Sequence, residues 1–410
     1  MPLWNDNTQP CLPTFASNPF CTVQTKSWNR TFRVGNTQVP LVYAVWMLLA
    51  LVATALELSR NSFNNYHIYR YVHLHTVEQL PLYAEYPEKY FDNNHYGPVF
   101  GLLIAPFAML PVPIGLLLWG IANAALLLYA IHSLPLTNTQ KQAIAWIALV
   151  EMMTAAHNVQ FNSMLAAFMI LAFVHVQKGN NQWATLFIAI GFLTKLYGIA
   201  GLCFFLFAKN KVSFVAWFLF WLLVLAVLPM TYSSVEYIIT TYQEWIQKLV
   251  YKNAKNASVA VSNMQDISMM GLVKRIAHLP NLSSMPFLAA ALVGFGLPLL
   301  RFKMYTQQWF QQYYLALVLI TIVIFSSSAE SPTYVIAMVG AGLWYVWQKQ
   351  TWATYVIVFA VLLTSLSATD LFPPVVRNEF IKPYALKALP CCLIWGIMVY
   401  QLLTKRFSEK

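Results

Sequence analysis

Charge is what this chain has least of. Asp, Glu, Lys and Arg make up 10% of its 410 residues, against about 25% in a soluble domain. That scarcity excludes a hydrated globular surface, and the 59% of hydrophobic residues shows what replaces it. Uncharged runs extend from Val212 to Val235, Met304 to Ala329 and Gln350 to Thr369. Each is long enough to cross a hydrocarbon core, which takes about 20 helical residues. Other things are missing too. No glycine-rich phosphate loop, no GxSxG and no HExxH occurs, which argues against an ATP-driven pump and the familiar hydrolases. The five cysteines (Cys11, Cys21, Cys203, Cys391, Cys392) lack metal-site spacing. Cys11 and Cys21 would pair only in an oxidising compartment, and unpaired thiols are the simpler reading. His73 and His75 have no metal partner at a useful spacing. No cleavable signal peptide is evident, and no period-2 pattern of a barrel.

What is present is a ladder of apolar segments. Candidate crossing or dipping stretches are about 41–58, 98–111, 114–134, 141–156, 160–177, 183–194, 196–208, 212–231, 286–300, 308–326, 333–347, 351–369 and 384–403. Backbone groups in lipid must pair within their own segment, so these are helices. The expected class is an all-α polytopic membrane protein with about 11–13 membrane helices. The polar stretch 1–38 reads as an irregular tail, 39–405 as one transmembrane domain and 406–410 as a cytoplasmic tail.

The net charge of +11 comes from basic residues scattered through short loops. That is the positive-inside pattern of a membrane protein, not a nucleic-acid surface. Placing Lys26, Arg30, Arg33, Lys209, Lys211, Arg301, Lys303, Lys349, Lys405 and Arg406 in the cytoplasm puts two longer regions outside, about 59–97 and 232–285, and the segments after 135 then need one extra crossing to match. The stretch 98–111 is short for a crossing and reads as a segment that dips and returns. Both outer regions are rich in aromatic and polar residues and suit amphipathic helices lying on the membrane.

Ionisable residues inside membrane segments are costly, so each is a functional candidate. Glu151, Lys195 and Glu330 stand out, with His157, Gln160 and Asn162 close behind Glu151. The loop acids Glu78, Glu85, Glu88 and Asp92 gather on the same side. Bland readings stand beside each. Glu151 and Lys195 would pair with each other inside the bundle. Gln160 and Asn162 would be interhelical hydrogen-bond glue. Glu330 would merely precede a helix start signalled by Ser331 and Pro332.

Several strings, taken in order, resemble a known family. Tyr96-Gly97-Pro98-Val99-Phe100, Pro106-Phe107-Ala108, Leu110-Pro111, Trp119 and Asn123 resemble the YxPxF…PFAxLP…LW…N signature of glycosyltransferase family 87, the polyprenol-phosphate-dependent mannosyltransferases. Gln160-Phe161-Asn162 is similar to its GQxN element. Thr194-Lys195-Leu196-Tyr197 is similar to IKxYP. Ser268-Met269-Met270-Gly271 with Arg275 is similar to NQSLxGLxxR. Ala329-Glu330-Ser331-Pro332-Thr333-Tyr334 falls where the family has SPxSWxHH. The resemblance runs from about 61 to 347.

It implies the GT-C architecture, a polyprenyl-phosphate sugar donor, a glycan or lipid acceptor, and an active site facing the periplasm of a bacterial inner membrane. No cofactor or metal is implied. Lys195 and Arg275 would contact the donor phosphate. Gln160 and Asn162 would hold sugar hydroxyls, and Glu151, His157, Tyr96 and Glu330 would complete the substrate site. The family also places an Asp base early in the first outer loop, and here Asn64-Asn65 occupies that place. An amide cannot take a proton, so Asp92 first and Glu85 second are the candidate bases. The element around Glu330 lacks its histidines, and Val159 replaces the glycine before Gln160. The rival functions are a transporter or flippase of lipid-linked saccharide and a non-catalytic member of the same fold. A transporter with related halves would show repeats, and none is obvious here.

Overall fold

The computed structural model describes residues 30–34, 37–257 and 265–405. It is 74% helical, which settles the all-α class. Among the described residues four helices are both long and apolar enough to cross a membrane on their own: Leu41–Ser59 (α1), Val112–Ser133, the run Lys211–Thr231, and Leu386–Thr404. The candidate thiol pair Cys11–Cys21 lies outside the described residues. Part of the stretch expected to be an irregular tail is ordered differently. Thr31–Val34 (β1) and Thr37–Pro40 (β2) pair as a two-stranded antiparallel ribbon. Its Phe32 and Val39 supply the aromatic and β-branched side chains that favour strands.

The next elements in chain order are α2 (Asn64–Glu78), α3 (Phe100–Ala108), α4 (Val112–Ser133), α5 (Asn138–His157), α6 (Asn162–Gln177) and α7 (Asn181–Thr194). A 3₁₀ segment, Leu196–Phe207, follows. Then come α8 (Lys211–Val227), α9 (Val235–Ala257), α10 (Met269–Ile276), α11 (Met285–Gly296), α12 (Gln308–Ile324), α13 (Tyr334–Tyr345), α14 (Trp352–Ala360) and α15 (Leu389–Thr404).

Burial separates inner from outer helices. α6, α12 and α13 are apolar around their whole circumference and are buried along nearly their whole length. A helix apolar all round must be enclosed by protein or by lipid. α8 is equally apolar but buries only Phe214 and Leu225, so its remaining surface meets lipid. α12 packs on α13, α13 on α5, and α5 on α1. These contacts make the wall from which the polar residues project.

Two segments expected outside the membrane are helical. In the first, α2 packs against the short α3. Tyr66 Oη donates to the Phe107 carbonyl at 2.9 Å, and Arg70 Nε to the Ala108 carbonyl at 2.9 Å. Pro106 prevents α3 from continuing regularly, and those two carbonyls lie at the end that α2 satisfies. At nine residues, α3 is too short to cross a bilayer.

In the second, α9 is amphipathic in three sectors. Ile238, Thr241 and Trp245 are buried, while Val235, Ile239, Ile246 and Val250 are exposed. Glu236, Gln243, Glu244 and Gln247 occupy the polar remainder. An exposed apolar stripe beside a polar face suits the lipid–water boundary. Trp245 Nε1 donates to the His95 carbonyl at 3.0 Å and Tyr237 Oη to the Leu80 carbonyl at 2.6 Å, tying α9 to the first outer region.

A candidate sugar-transfer site

The family-like strings converge although they are far apart in sequence. Gly97 donates its amide to the Thr194 carbonyl at 3.2 Å. A Cβ at Gly97 would stand 2.2 Å from the Leu193 carbonyl oxygen, so only glycine permits this approach. It brings Tyr96 beside Lys195 at the end of α7. The turn after Lys195 is equally tight: a Cβ on Gly198 would lie 2.2 Å from the Gly191 backbone. The late outer segment is stitched to the α12–α13 loop by Ile267 N to the Ala329 carbonyl, 2.9 Å, and Tyr334 Oη to the Ile267 carbonyl, 2.8 Å.

These elements enclose a cavity of about 860 Å³. Its chemistry is a chain of contacts. Lys195 Nζ donates to Asn162 Oδ1 at 2.8 Å, Asn162 Nδ2 to Gln160 Oε1 at 3.3 Å, and Gln160 Nε2 to Glu330 Oε2 at 3.4 Å. The Lys195 ammonium also sits 5.0 Å from the Tyr197 ring centre and 6.0 Å from that of Tyr96, within cation–π range. Tyr96 and Tyr69 share a hydroxyl contact at 3.1 Å. Glu330 is held by its own turn, since its amide donates to Thr333 Oγ1 at 3.2 Å ahead of α13. The helix-start reading and the site reading of Glu330 thus coincide.

Lys252, on the buried side of α9, lines the same cavity. Partial burial pushes the Glu330 carboxyl up, Lys252 and Lys195 pull it down, and Asp92 pushes it up again. Burial pushes Lys252 down, while Glu330 and Asp92 draw it up. Asp92 lines the cavity and is exposed, in the left-handed region at φ 71°. An Asp tolerates that conformation better than most residues, and its Oδ1 accepts the Asn93 amide at 2.8 Å. Val159, where the family has glycine, sits at φ 50°. A β-branched residue there is strained, and the turn it makes aims Gln160 into the cavity.

Other candidate residues sit elsewhere. Glu85 is exposed and outside the cavity lining. Arg275 turns its Nη2 to the Gln265 carbonyl at 2.7 Å and lies near Asp266, while neighbouring Met270 lines the cavity instead. The expected Glu151–Lys195 pair is not formed. Glu151 Oε1 is 2.7 Å from Lys387 Nζ, which also reaches Ser331 Oγ at 2.9 Å. His157 Nδ1 is 2.8 Å from Glu57 Oε1 in a separate cavity. Of the two asparagines at the family's Asp position, Asn64 is spent on the Phe91 backbone, accepting its amide and donating to its carbonyl at 2.7 Å each. Asn65 lines the cavity. Among the described residues no cluster of three or more His, Cys, Asp or Glu could hold a metal.

Sequence reasoning missed Lys252 and Glu57. Trp245, Leu249 and Lys252 follow the i, i+4, i+7 spacing of one helix face. With Trp245 as the anchor, that spacing would have turned Lys252 inward.

His95, on the cavity wall, carries a pH consequence. Burial, with help from Lys252, Lys248, Lys195 and Lys255, pushes its imidazole down to about 3. The unfolded chain would protonate it near 6.5. Stability from this residue is therefore full above about pH 6.5 and declines as pH falls, because the unfolded state takes up the proton first. By pH 5 the loss is about 2 kcal/mol. Thermal unfolding in one detergent at pH 7.5 and pH 5 should show it, and His95→Gln should remove that part of the acid sensitivity. An unchanged difference in the variant would assign the acid loss to other groups.

The fold and site together define a helical membrane protein with lysines and carboxylates on the lining of one cavity, to which α9 and the segment before α3 both contribute. The model of glycosyltransferase family 87 matches residues 94–366, and the chain belongs to that family. It is accordingly a glycosyltransferase of the membrane. No curated protein matches the chain.

Proposed function

We propose that the protein transfers a hexose, mannose by the family resemblance, from a polyprenyl-phosphate donor to a glycan or lipid acceptor at the periplasmic face of a bacterial inner membrane. The observation that carries this reading is the gathering of Lys195, Lys252, Glu330 and Asp92 on the lining of one cavity with an apolar flank. Met285 and Leu288 of α11 line that cavity, yet are 66% and 52% exposed. An isoprenoid tail would lie along them in lipid while its phosphate reached the lysines.

In the proposed reaction Asp92 removes the proton from the acceptor hydroxyl. The new bond forms between that oxygen and the anomeric carbon as the bond from that carbon to the phosphate oxygen breaks. The electron pair departs on the phosphate, where Lys195 and Lys252 stabilise it electrostatically. Glu330 keeps both ammonium groups in place before the donor arrives. Gln160 and Asn162 fix the Lys195–Glu330 geometry, and the tyrosine rings at 96 and 197 give the sugar a stacking surface. Asn65 in place of an acid sustains the non-catalytic alternative, which only turnover separates from the enzyme.

Lys195→Met and Lys252→Met should each weaken polyprenyl-phosphate binding by about 10- to 150-fold, as expected for one charge-assisted contact of about 1.5–3 kcal/mol. Direct titration of the protein in nanodiscs measures this. Unchanged affinity in both variants would remove the phosphate from this cavity.

A further inference from the structure

A second cavity, about 1190 Å³ in volume, opens between the ends of α1 and α5 and the loop after α2. Nothing in the transfer step described above uses it. Its centre is Glu57, 8% exposed, with His157 Nδ1 at 2.8 Å and Arg60 at 4.0 Å. Its walls also carry amides, hydroxyls and aromatic rings, among them Asn61, Thr154, Thr369, Phe63 and Phe91, beside aliphatic residues such as Val150, Met153 and Leu366. Its cations, Arg60 and Lys89, face three carboxylates, Glu57, Glu88 and Asp370. That balance disfavours an anionic phosphate. Paired hydrogen-bonding groups beside exposed aromatic faces favour a neutral polyhydroxyl ligand.

The partition from the first cavity is thin. Asn65 and Asn158 line both cavities, and Asn65 Nδ2 donates to the Asn158 carbonyl at 2.8 Å. We infer that the Glu57–His157 cavity binds a saccharide, the hydroxyl-bearing acceptor, and presents it across the Asn65–Asn158 boundary to the lysine cavity. The assignment of the saccharide as acceptor rests on the proposed function, whereas saccharide binding in this cavity stands on its own lining. Glu57 accepts from ligand hydroxyls, His157 fixes its carboxylate, and Phe91, 76% exposed, supplies a ring face.

The test uses the full-length protein in nanodiscs, with neutral α-linked mannotriose and maltotriose as probes. Binding is read by saturation-transfer NMR, and polyprenyl phosphate is titrated separately. Thr154→Trp, which fills the cavity, should abolish the saccharide signal and leave polyprenyl-phosphate affinity unchanged. Glu57→Gln, nearly isosteric, should weaken saccharide binding by about tenfold, the loss of one charged hydrogen bond. Saccharide binding that survives both variants would overturn the inference. So would binding lost on filling the lysine cavity through Ser327→Trp but kept in Thr154→Trp, or no binding of either probe to the parent protein. Failure of polyprenyl phosphate to bind the parent would instead count against the donor reading, and the Thr154→Trp result would still place or displace the saccharide.

Discussion

Asp92→Asn is expected to lower sugar transfer by about 10²–10⁴-fold, the usual contribution of a positioned general base. The substitution keeps the shape of the side chain. It keeps an oxygen for the Asn93 amide, which Asp92 Oδ1 accepts at 2.8 Å. Asn also tolerates the left-handed backbone that Asp92 adopts at φ 71°. Folding and expression should therefore be unaffected, and donor affinity should change less than in Glu330→Gln, because Asp92 acts on Lys252 alone whereas Glu330 acts on both lysines. Glu330→Gln should behave differently. It removes the negative charge between Lys195 and Lys252, so the two ammonium groups repel and donor affinity changes along with rate. A rate loss in Asp92→Asn far larger than its change in donor affinity, against a comparable change in both for Glu330→Gln, separates the base from the group that organises the lysines. Full activity in Asp92→Asn would take Asp92 out of the chemistry.

Lys387→Met should be the most damaging change to stability. Glu151 and Lys387 are 0% and 3% exposed, and their 2.7 Å contact lies within the bundle. Removing one partner strands the other charge, at a cost of about 3–5 kcal/mol. The same substitution removes the donor to Ser331 Oγ, and Ser331 follows Glu330 directly, so the damage reaches the site. Replacing both partners, as in Lys387→Met with Glu151→Leu, should recover most of the loss, because an apolar pair avoids the desolvation that the ion pair suffers. Thermal unfolding of parent, single and double variants in one detergent tests this. A single variant as stable as the parent would show that the pair contributes nothing.

The bundle was legible because lipid leaves so few options. Uncharged runs of about 20 residues can only be helices there. Lys195, Gln160, Asn162, Tyr96 and Glu330 were legible as candidates for a related reason, since polar groups stand out against so apolar a background. Their convergence on one cavity was not. It depends on the backbone contact at Gly97 and on the stitch between Ile267 and Ala329, neither of which periodicity reveals. Arg275 looked like a phosphate ligand because arginine suits that role, but its guanidinium is occupied by the Gln265 carbonyl ten residues earlier. Lys252 was hidden because nothing in the run of Lys248, Lys252 and Lys255 singles it out until Trp245 is known to face inward. Glu57 found its partner His157 one hundred residues away, and nothing local signals such a pair. Glu151 was matched to Lys195 because both are charges within apolar segments, whereas its partner Lys387 stands 236 residues away with nothing local to signal it.

Sugar transfer itself is measured with purified protein in lipid vesicles, given radiolabelled polyprenyl-phosphate-mannose and a membrane extract as the source of acceptors. Label should move into a new product in a protein-dependent way, and Asp92→Asn should slow that movement by about 10²–10⁴-fold. The proposed transfer would be contradicted if no label moved from mannose-loaded or other sugar-loaded carriers and none of those carriers bound the protein.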